Sequence, residues 1–385
     1  MPSFDVVVIG AGPGGSAAAY ILADAGLRVA LIDRARFPRD KLCGGWLSQR
    51  SQKTYRSIFK NGWEHCYELT SPDISFYYKD QKIRELRRYR SHYFTRRSRF
   101  DTHLAKMSQD KGALFLDGTG VERLNPDSGR VRLANGDEIR GDFIIGADGV
   151  SSAVARTLGL SIRKKHLAVG LEMEVPRKGR LKNLESPQIH FGVVRWGYGW
   201  VIPKSDTLTI GIAGLARANR NFKDGLFEFL KQTYGKIPDV GWRGHPIPYG
   251  NFLTKPGKGN CLLIGDAAGL VDPVTGEGIS FAMQSGRFAA QAILEADRMG
   301  NPAKAIGFYQ TGYDEMARLF SQARKMRYLV FPAVSEKLFV KALLRSESVV
   351  RKFVDLMAGE IGYGAYAGFL AGKIGRYLIR FGGQP

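Results

Sequence analysis

Apolar and polar residues at the start of the chain predict two buried strands joined by a helix. Residues 4–9 form a largely apolar run of strand length, which is typical of a parallel strand buried on both faces. A second run of this kind covers residues 27–33. Small and apolar residues between the runs predict a helix from about Gly14 to Ala25, which ends at Gly26. The pattern as a whole indicates a βαβ unit.

A glycine-rich turn connects the first strand to this helix. Gly10 and Gly12 allow a tight turn and a close approach of the backbone to a pyrophosphate, and Gly15 lets the helix pack on the strand. The amino terminus of the helix then faces the phosphates. Asp33 ends the second strand roughly 20 residues after the glycines, where a carboxylate binds a ribose 2′-hydroxyl. These features predict a site for NAD or FAD. Asp33 would repel the 2′-phosphate of NADP; the alternative for Asp33 is an ordinary acid at a strand end.

A second glycine-rich segment follows about 250 residues later. It begins with an apolar strand at residues 261–264, continues through Asp266, and enters a helix after Gly276 and Gly278. Two such segments predict one long ligand that is held at both ends. FAD is such a ligand, with its adenosine end on the first segment and its ribityl chain and flavin at the second. For Asp266, a role as helix N-cap is the alternative.

The middle of the chain has the period of β structure. Residues 131–137 contain an Asn-Gly pair that is typical of a hairpin turn, and residues 142–145 predict a strand that ends at a glycine-rich turn, residues 146–149. Further strands are predicted at residues 167–175, 188–194, 200–203 and 208–213. We expect these strands to form a sheet that covers the substrate side of the flavin.

The order of these segments predicts an interleaved fold, because no repeat or low-complexity linker separates them. We predict an α/β protein (α+β overall), with a Rossmann-like FAD-binding domain, an antiparallel-sheet substrate domain and a helical carboxyl-terminal region. The FAD-binding domain is predicted to comprise residues 1–72, 96–162 and 251–310. The substrate domain is predicted to comprise residues 73–95 and 163–250, and the basic helical region residues 311–385.

Length and composition agree with an enzyme of this kind. A chain of 385 residues can bury a large core in two or more domains. The three cysteines are too few and too scattered for a disulfide framework or a zinc site, and the histidines, which include His166, lack metal-binding spacing. The first strand begins too close to Met1 for a signal peptide, and the apolar run at residues 361–372 is too short to span a bilayer. We therefore expect a cytoplasmic protein without a metal site.

The formal net charge of +21 indicates an anionic partner or surface. Residues 82–99 hold eight basic residues and one acidic residue. Residues 301–385 hold 13 basic and 6 acidic residues, interspersed with large apolar ones. Such a cationic amphipathic surface is typical of contact with an anionic membrane face or lipid, so we predict peripheral membrane contact. A solvated basic surface without a partner is the alternative. We expect no nucleic acid, because no recognised binding module accompanies the charge.

Three motifs in order resemble the flavoprotein class that includes para-hydroxybenzoate hydroxylase. They are residues 10–15, residues 146–149 and residues 265–279. Within that class, the chain more closely resembles the geranylgeranyl reductases over about residues 1–320. The segments that carry this second resemblance are residues 37–45, 197–203 and 244–250.

The resemblance implies a set of cofactor-binding residues. It places the first glycine loop at the pyrophosphate, Asp33 at the adenosine ribose, Arg97 at the phosphate or ribityl region, and the backbone of Val121 at the adenine. It places Cys43 and its neighbours beside the flavin, Asp266 at the ribityl chain, and the backbone of Gly278 and Ile279 at the isoalloxazine. The complete set is Gly10, Gly12, Gly14, Gly15, Asp33, Arg34, Cys43, Gly44, Gly45, Arg97, Val121, Asp148, Gly265, Asp266, Gly278 and Ile279.

The candidate catalytic residues are Cys43, Tyr198 and Trp200. The thiol of Cys43 shapes the cavity, donates a proton, or is inert packing. Tyr198 and Trp200 belong to a pattern that lies over the substrate cavity in geranylgeranyl reductases; half-buried strand aromatics are the alternative. That pattern usually has Pro and Phe where this chain has Arg195 and Ile202, a drift toward flavin-dependent halogenases. The place of Arg195 in the pattern suggests contact with an anionic substrate head group.

The predicted function is reduction of carbon–carbon double bonds in a prenyl lipid or quinone by hydride transfer from reduced FAD. NAD(P)H or ferredoxin would serve as transient electron donor. The first alternative is a flavin monooxygenase or halogenase that acts on an aromatic compound or on a side chain of a partner protein. The second is a flavoprotein redox carrier or accessory factor.

Overall fold

The computed structural model describes residues 1–163 and 167–381. His166 and residues 382–385 lie outside the described residues. The strands are β1 Ser3–Ile9, β2 Val29–Asp33, β3 Trp46–Leu47, β4 Leu69–Ser71, β5 Ile74–Tyr78, β6 Gln81–Leu86, β7 His92–Phe94, β8 Leu114–Asp117, β9 Val121–Asn125, β10 Arg130–Leu133, β11 Glu138–Gly146, β12 Leu167–Pro176, β13 Gln188–Phe191, β14 Gly197–Pro203, β15 Thr207–Leu215, β16 Arg243–Pro248, β17 Gly257–Lys258 and β18 Cys261–Leu263. The helices are α1 Pro13–Asp24, α2 Gln49–Phe59, α3 Arg97–Asp110, α4 Ala153–Thr157, α5 Phe222–Tyr234, α6 Ile279–Arg298, α7 Ala305–Val330, α8 Ala333–Arg345, α9 Glu347–Met357 and α10 Tyr363–Phe381.

The first large sheet brings the two glycine-rich segments of the chain together. Its strand order is β17-β18-β11-β1-β2-β8, with β10 and β9 continuing from β11. β1 pairs in parallel with both β2 and β11, and β11 pairs in parallel with β18. Parallel strands point their carboxyl ends to the same edge. The turns that follow β1, β11 and β18 therefore meet at one edge of the sheet, which is where open α/β sheets bind ligands.

The second large sheet packs one face against helix α5, and its other face is turned toward the first large sheet. Its strand order is β16-β12-β15-β14-β13-β5-β6, antiparallel except for the β13–β5 pair. Alternate residues of β12 and β15, including Met173 and Ile212, pack against Leu226 and Phe229 of α5. Because side chains alternate along a strand, the residues between them face the other way. That opposite face forms one wall of the site described below. A third, small sheet has the order β3-β7-β4.

The fold class predicted from the sequence is confirmed. α1 covers the predicted helix to within one residue at each end, and Gly26 follows it in a left-handed conformation with φ of 89°. Asn135 and Gly136 form the turn between β10 and β11, as the hairpin pattern predicted. The four further strands correspond to β12, β13, β14 and β15. The domain boundaries given above stay a prediction.

The carboxyl-terminal helices pack on the second sheet rather than standing apart from it. Phe353 of α9 lies against Phe76 and Phe191 in the core, at ring distances of 6.1 and 6.4 Å. Arg90 forms an ion pair with Asp355 at 2.7 Å, and Arg84 donates to the carbonyl of Leu344. None of the helices in residues 1–163 and 167–381 combines the length and the apolar character that crossing a bilayer requires.

Candidate active site

A single cavity is reached by both glycine-rich segments. Pro13 of the first segment and Gly276, Gly278 and Ile279 of the second line it. The second sheet forms the opposite wall, with Trp200 among its lining residues. Residues that are about 250 positions apart in sequence therefore border one space, as the two-ended ligand model predicted.

The first glycine loop is folded tightly on itself. Gly10 has φ of 108°, and a Cβ atom there would overlap the carbonyl of Ala147. A Cβ atom at Gly15 would overlap the carbonyl oxygen of Gly10. The amide of Ala147 donates to Ile9 at 2.7 Å, so the 146–149 turn is fixed against the same loop. Glycine is required at Gly10 and Gly15 because no side chain fits.

The early and late segments also touch directly, through their helices. A Cβ atom at Gly14 would lie 2.8 Å from the carbonyl oxygen of Ala282 in α6. A Cβ atom at Gly286 would overlap the carbonyl of Gly14. α1 and α6 therefore cross with their backbones in close contact, and this contact sets the distance between the two glycine-rich turns.

The two helices begin differently. The N-cap residues are Gly12 for α1 and Gly278 for α6, and neither has a capping side chain. The first turn of α1 contains no acid, whereas the Glu277 carboxylate just before α6 accepts from the amide of Ser280 at 3.3 Å. Free backbone N–H groups and the helix dipole stabilise negative charge at such ends. The residues present therefore fit FAD, with its pyrophosphate expected at the free start of α1.

The predicted adenosine end lies on the first sheet, outside the lining of the cavity. The Asp33 carboxylate accepts hydrogen bonds from the amides of Ala11 and Ala35, both at 3.0 Å. The amide of Thr119 donates to the carbonyl of Asp33, so Val121 begins β9 two residues from this contact. Arg34 is the next residue after Asp33, and its Cβ lies 3.4 Å from a Cβ position built at Gly120. Asp33, Arg34 and Val121 are thus brought together, as FAD binding would require.

Arg39 is a basic residue at this end that the sequence analysis did not single out. Its guanidinium lies 3.5 Å from the Asp33 carboxylate and 3.1 Å from the Asp101 carboxylate. It is also 3.8 Å from a Cβ position built at Gly12, the glycine next to the expected pyrophosphate. Only its place in the segment of residues 37–45 marked it in the sequence.

Arg97 lies deep in the protein and lines the cavity. Its Nε and Nη2 donate to the two carboxylate oxygens of Asp101 at 2.7 and 2.8 Å. Asp101 has no solvent exposure, and its carboxylate also forms an ion pair with Arg39. One carboxylate therefore holds both arginines in place, and it couples the predicted phosphate end to the cavity.

The segment from Cys43 to Gly45 is fixed by the second sheet. The amide of Cys43 donates to Glu172 Oε1 at 2.9 Å, and the Lys204 ammonium donates to the carbonyl of Gly44 at 2.6 Å. The amide of Gly45 lies 3.4 Å from the Cys43 sulfur. A Cβ atom at Gly44 would lie 2.6 Å from Ile202 Cδ1. The three predicted residues are in the cavity wall, held by Glu172 on one side and Lys204 on the other.

Tyr198 and Trp200 both line the cavity, but only the polar group of Tyr198 has a hydrogen-bond partner in the described chain. The Tyr198 hydroxyl donates to the carbonyl of Thr275 at 2.6 Å and so ties the second sheet to the late glycine segment. Burial raises the pKa of Tyr198 well above its ordinary value. The Trp200 Nε1 is buried and has no hydrogen-bond partner among the described residues.

The late segment and the 146–149 turn place their carboxylates differently. Gly265 begins a short 3₁₀ turn, and Asp266 within it lies 3.6 Å from the Lys41 ammonium at the cavity. Asp266 is not the N-cap of this turn, which is Ile264.

Asp148 lies outside the cavity lining. Its Oδ2 accepts from the amide of Ala153 at 2.6 Å at the start of α4, and its buried Oδ1 has no partner in the described chain.

Arg195 does not reach the cavity. Its side chain is exposed, and it borders a separate surface pocket with Arg217 and Arg220. The suggested contact with a substrate head group in the cavity is therefore wrong. The reason is local geometry: β14 begins only at Gly197, so Arg195 lies in the turn before the strand and does not share its face.

The sequence analysis also missed two buried ionisable groups beside Cys43. Burial raises the pKa of Glu172 to about 7 and lowers the pKa of Lys204 to about 8. Glu172 lies in an alternating strand, where an acid at every second position indicates a solvent-facing side. No sequence signal distinguishes that pattern from a face turned toward a cavity. No cluster of three potential metal ligands occurs among residues 1–163 and 167–381.

Comparisons with known proteins give the family. A family model described as an FAD binding domain matches residues 3–188. The chain is 30% identical to the menaquinone reductase of Mycobacterium tuberculosis over 368 residues, covering 86% of this chain and 85% of that protein. It is 31% identical to the digeranylgeranylglycerophospholipid reductase of Methanosarcina mazei, with 77% of each chain covered. The solved structure of a geranylgeranyl bacteriochlorophyll reductase-like protein from Thermoplasma acidophilum is similar at 23% identity, with a TM-score of 0.73 over 93% of this chain and 92% of that one. The chain belongs to the geranylgeranyl reductase family of FAD-dependent oxidoreductases.

Proposed function

We propose that this protein reduces carbon–carbon double bonds in the prenyl chain of a lipid or quinone. The observation that carries the proposal is the apolar wall that the second sheet places opposite the start of α6. Ile189, Trp200, Ile202 and Ile247 line it, while the small residues Gly170 and Ala213 on the same face leave space in front of it. The relatives named above as reductases act on menaquinone and on a digeranylgeranyl lipid by their names, and both kinds of substrate carry such chains.

The residues of the chain bind, orient and exclude water. Bound FAD, once reduced, supplies the hydride. A prenyl chain would gain about 0.8 kcal/mol for each CH₂ group that it buries, so an apolar wall provides affinity without many polar contacts. Trp200 and Tyr198 would orient the chain against the flavin. Cys43, whose amide is held by Glu172, would border the reacting carbons.

The test is turnover without oxygen. Purified protein with FAD is reduced by dithionite and incubated anaerobically with menaquinone or a geranylgeranyl lipid. We expect mass spectrometry to show saturation of prenyl double bonds. NADH, NADPH and reduced ferredoxin then replace dithionite in turn, because the electron donor is also a prediction. No saturation of any prenyl substrate would contradict the proposal. Oxygen consumption with a hydroxylated or halogenated product would favour the alternative that Ile202 in the aromatic pattern suggests.

We also propose that α7 and α8 meet an anionic membrane, from which the substrate is collected. Tyr328, Leu329 and Leu338 are exposed although they are large and apolar. Lys337 and Lys341 lie next to Leu338 on α8. Apolar side chains flanked by cations are suited to the interface of an anionic bilayer. The basic stretch at residues 82–99 contributes less to this role, because six of its eight basic residues form ion pairs within the chain: Lys82, Arg84, Arg87, Arg90, Arg96 and Arg97.

The membrane proposal predicts a difference between two exposed leucines. Leu338→Glu should reduce co-sedimentation with vesicles that contain anionic phospholipid by about tenfold, because it removes apolar contact and adds a negative charge. Leu114→Glu is the matched control, since Leu114 is also exposed but lies on β8 of the first sheet. The proposal would be contradicted if both variants bound anionic vesicles equally well. It would also be contradicted if the wild-type protein bound neutral vesicles as well as anionic ones.

A further inference from the structure

Glu172 lies at the centre of the cavity wall formed by the second sheet. It is on β12, where it pairs with Gly211 of β15, and Gly211 pairs in turn with Trp200 of β14. Residues opposite one another in adjacent antiparallel strands share a face. Gly211 has no side chain, and a Cβ atom there would lie 2.6 Å from Trp200 Cε2 and 2.8 Å from Glu172 Cβ. The missing side chain leaves room over Gly211 for the indole of Trp200 beside the side chain of Glu172.

Only one oxygen of this carboxyl group is used by the protein. Oε1 accepts the amide hydrogen of Cys43, while Oε2 has no hydrogen-bond partner in the described chain. The residue is 4% exposed, yet it lines the cavity. A buried carboxyl oxygen without a partner is costly, so its presence at a ligand cavity indicates a use.

The groups around Glu172 leave its carboxyl largely neutral at acidic pH. Lys204 after β14, Arg243 on β16 and Glu174 on the same strand are the charged groups that act on it, together with the amide of Cys43. Arg243 pairs with Asp40 at 3.3 Å, and the Lys204 ammonium donates to carbonyls. Burial therefore dominates and raises the pKa of Glu172 to about 7. The protonated form is present below that pH and is lost above it.

We propose that Glu172 is a catalytic residue, the acid that donates a proton from Oε2 to the substrate alkene. The inference rests on the reductase function proposed above. The π electron pair of the alkene forms one new C–H bond with this proton, and the hydride from reduced FAD forms the other C–H bond at the adjacent carbon. The alkene gains two electrons, FAD is oxidised, and Glu172 is left as a carboxylate. Water returns its proton. The Glu172 carboxyl thus supplies the acid that the sequence analysis could not identify beyond Cys43.

The first test measures protonation without turnover. Infrared difference spectra between low and high pH detect the C=O band of a neutral carboxylic acid. With FAD bound and no substrate, the wild-type protein should lose a band near pH 7 that Glu172→Gln lacks. Glu174→Gln is the matched control, because Glu174 is on the same strand but is bonded to Arg96 and Thr207. That variant should keep the band. Burial also raises the pKa of Glu336 to about 7, so the comparison of variants is essential. A band unchanged in Glu172→Gln would overturn the proposal.

The second test measures reduction in a single anaerobic turnover. The wild-type rate should decline as the pH rises through 7, because Glu172 loses its proton there. The Glu172→Gln rate should be about 100-fold lower, the typical loss when a general acid is removed, and should show no such decline. Glu174→Gln should keep the rate at low pH and still show the decline, moved to lower pH because a negative charge that raises the pKa of Glu172 is removed. A Glu172→Gln enzyme that retained the wild-type rate and profile would overturn the assignment. If the wild type reduced no prenyl substrate, the proposed function would fail separately, and the infrared result would still report whether Glu172 titrates in the cavity.

Discussion

Gly15→Ala is expected to yield protein that retains at least tenfold less FAD than the wild type and is nearly colourless. A Cβ atom at position 15 would overlap the carbonyl oxygen of Gly10. The loop cannot relax outward, because Gly10 is itself pressed against Ala147. The turn at the start of α1 must therefore open, and the N–H groups that would meet the pyrophosphate lose their positions. Absorbance of flavin relative to protein measures the effect.

Gly307→Ala is the matched control for this substitution. Gly307 lies in α7, and a Cβ atom there would meet nothing within 4 Å. Alanine stabilises a helix relative to glycine by about 1 kcal/mol, so this variant should be yellow and at least as stable as the wild type. If Gly15→Ala bound FAD as tightly as Gly307→Ala, the assignment of the first loop to the cofactor would be wrong.

Asp101→Ala should lower the free energy of unfolding by about 3–5 kcal/mol, because it leaves the buried Arg97 charge without its partner. Their side chains are 5% and 0% exposed, and their two hydrogen bonds are in the interior. Urea unfolding of the flavin-free protein measures this cost separately from any effect on cofactor binding.

A surface pair of the same spacing provides the control. Glu347 and Arg351 are also four residues apart on a helix, but their side chains are 50% and 45% exposed. Glu347→Ala should cost less than about 1 kcal/mol. The double variant Arg97→Met with Asp101→Leu should regain much of the stability lost in Asp101→Ala, since the buried Arg97 charge is gone and Arg39 keeps Asp33 as a partner. Equal losses for Asp101→Ala and Glu347→Ala would contradict the described burial of the pair.

The sequence predicted the parts of the site that depend on backbone geometry. Gly10 and Gly15 are demanded by contacts that allow no Cβ atom, and such demands leave the same residue type at the same spacing in any chain with this turn. β1 and β2 have the uninterrupted apolar character of strands buried on both faces. Local rules of this kind were sufficient for the βαβ unit and the hairpin at Gly136. The convergence of the two glycine-rich segments followed instead from the hypothesis of one long ligand that is held at both ends.

The side chains that do chemistry in the cavity were harder to predict. Glu172 and Lys204 are buried by elements far away in sequence, so their environment is a property of the assembled fold. The alternation of β12 is the same whether its polar face meets water or a cavity. Arg90 in the basic stretch is a similar case, because its partners Asp355 and Glu360 come from the other end of the chain.

A crystal structure of the protein with FAD bound tests the central claim most directly. The account predicts adenosine beside Asp33, pyrophosphate at the start of α1, and the isoalloxazine between the residue 43–45 segment and the start of α6. The face of the flavin should then be turned toward Trp200 and Glu172. Flavin density outside this cavity, or a cofactor that touched only one of the two glycine-rich segments, would contradict the account.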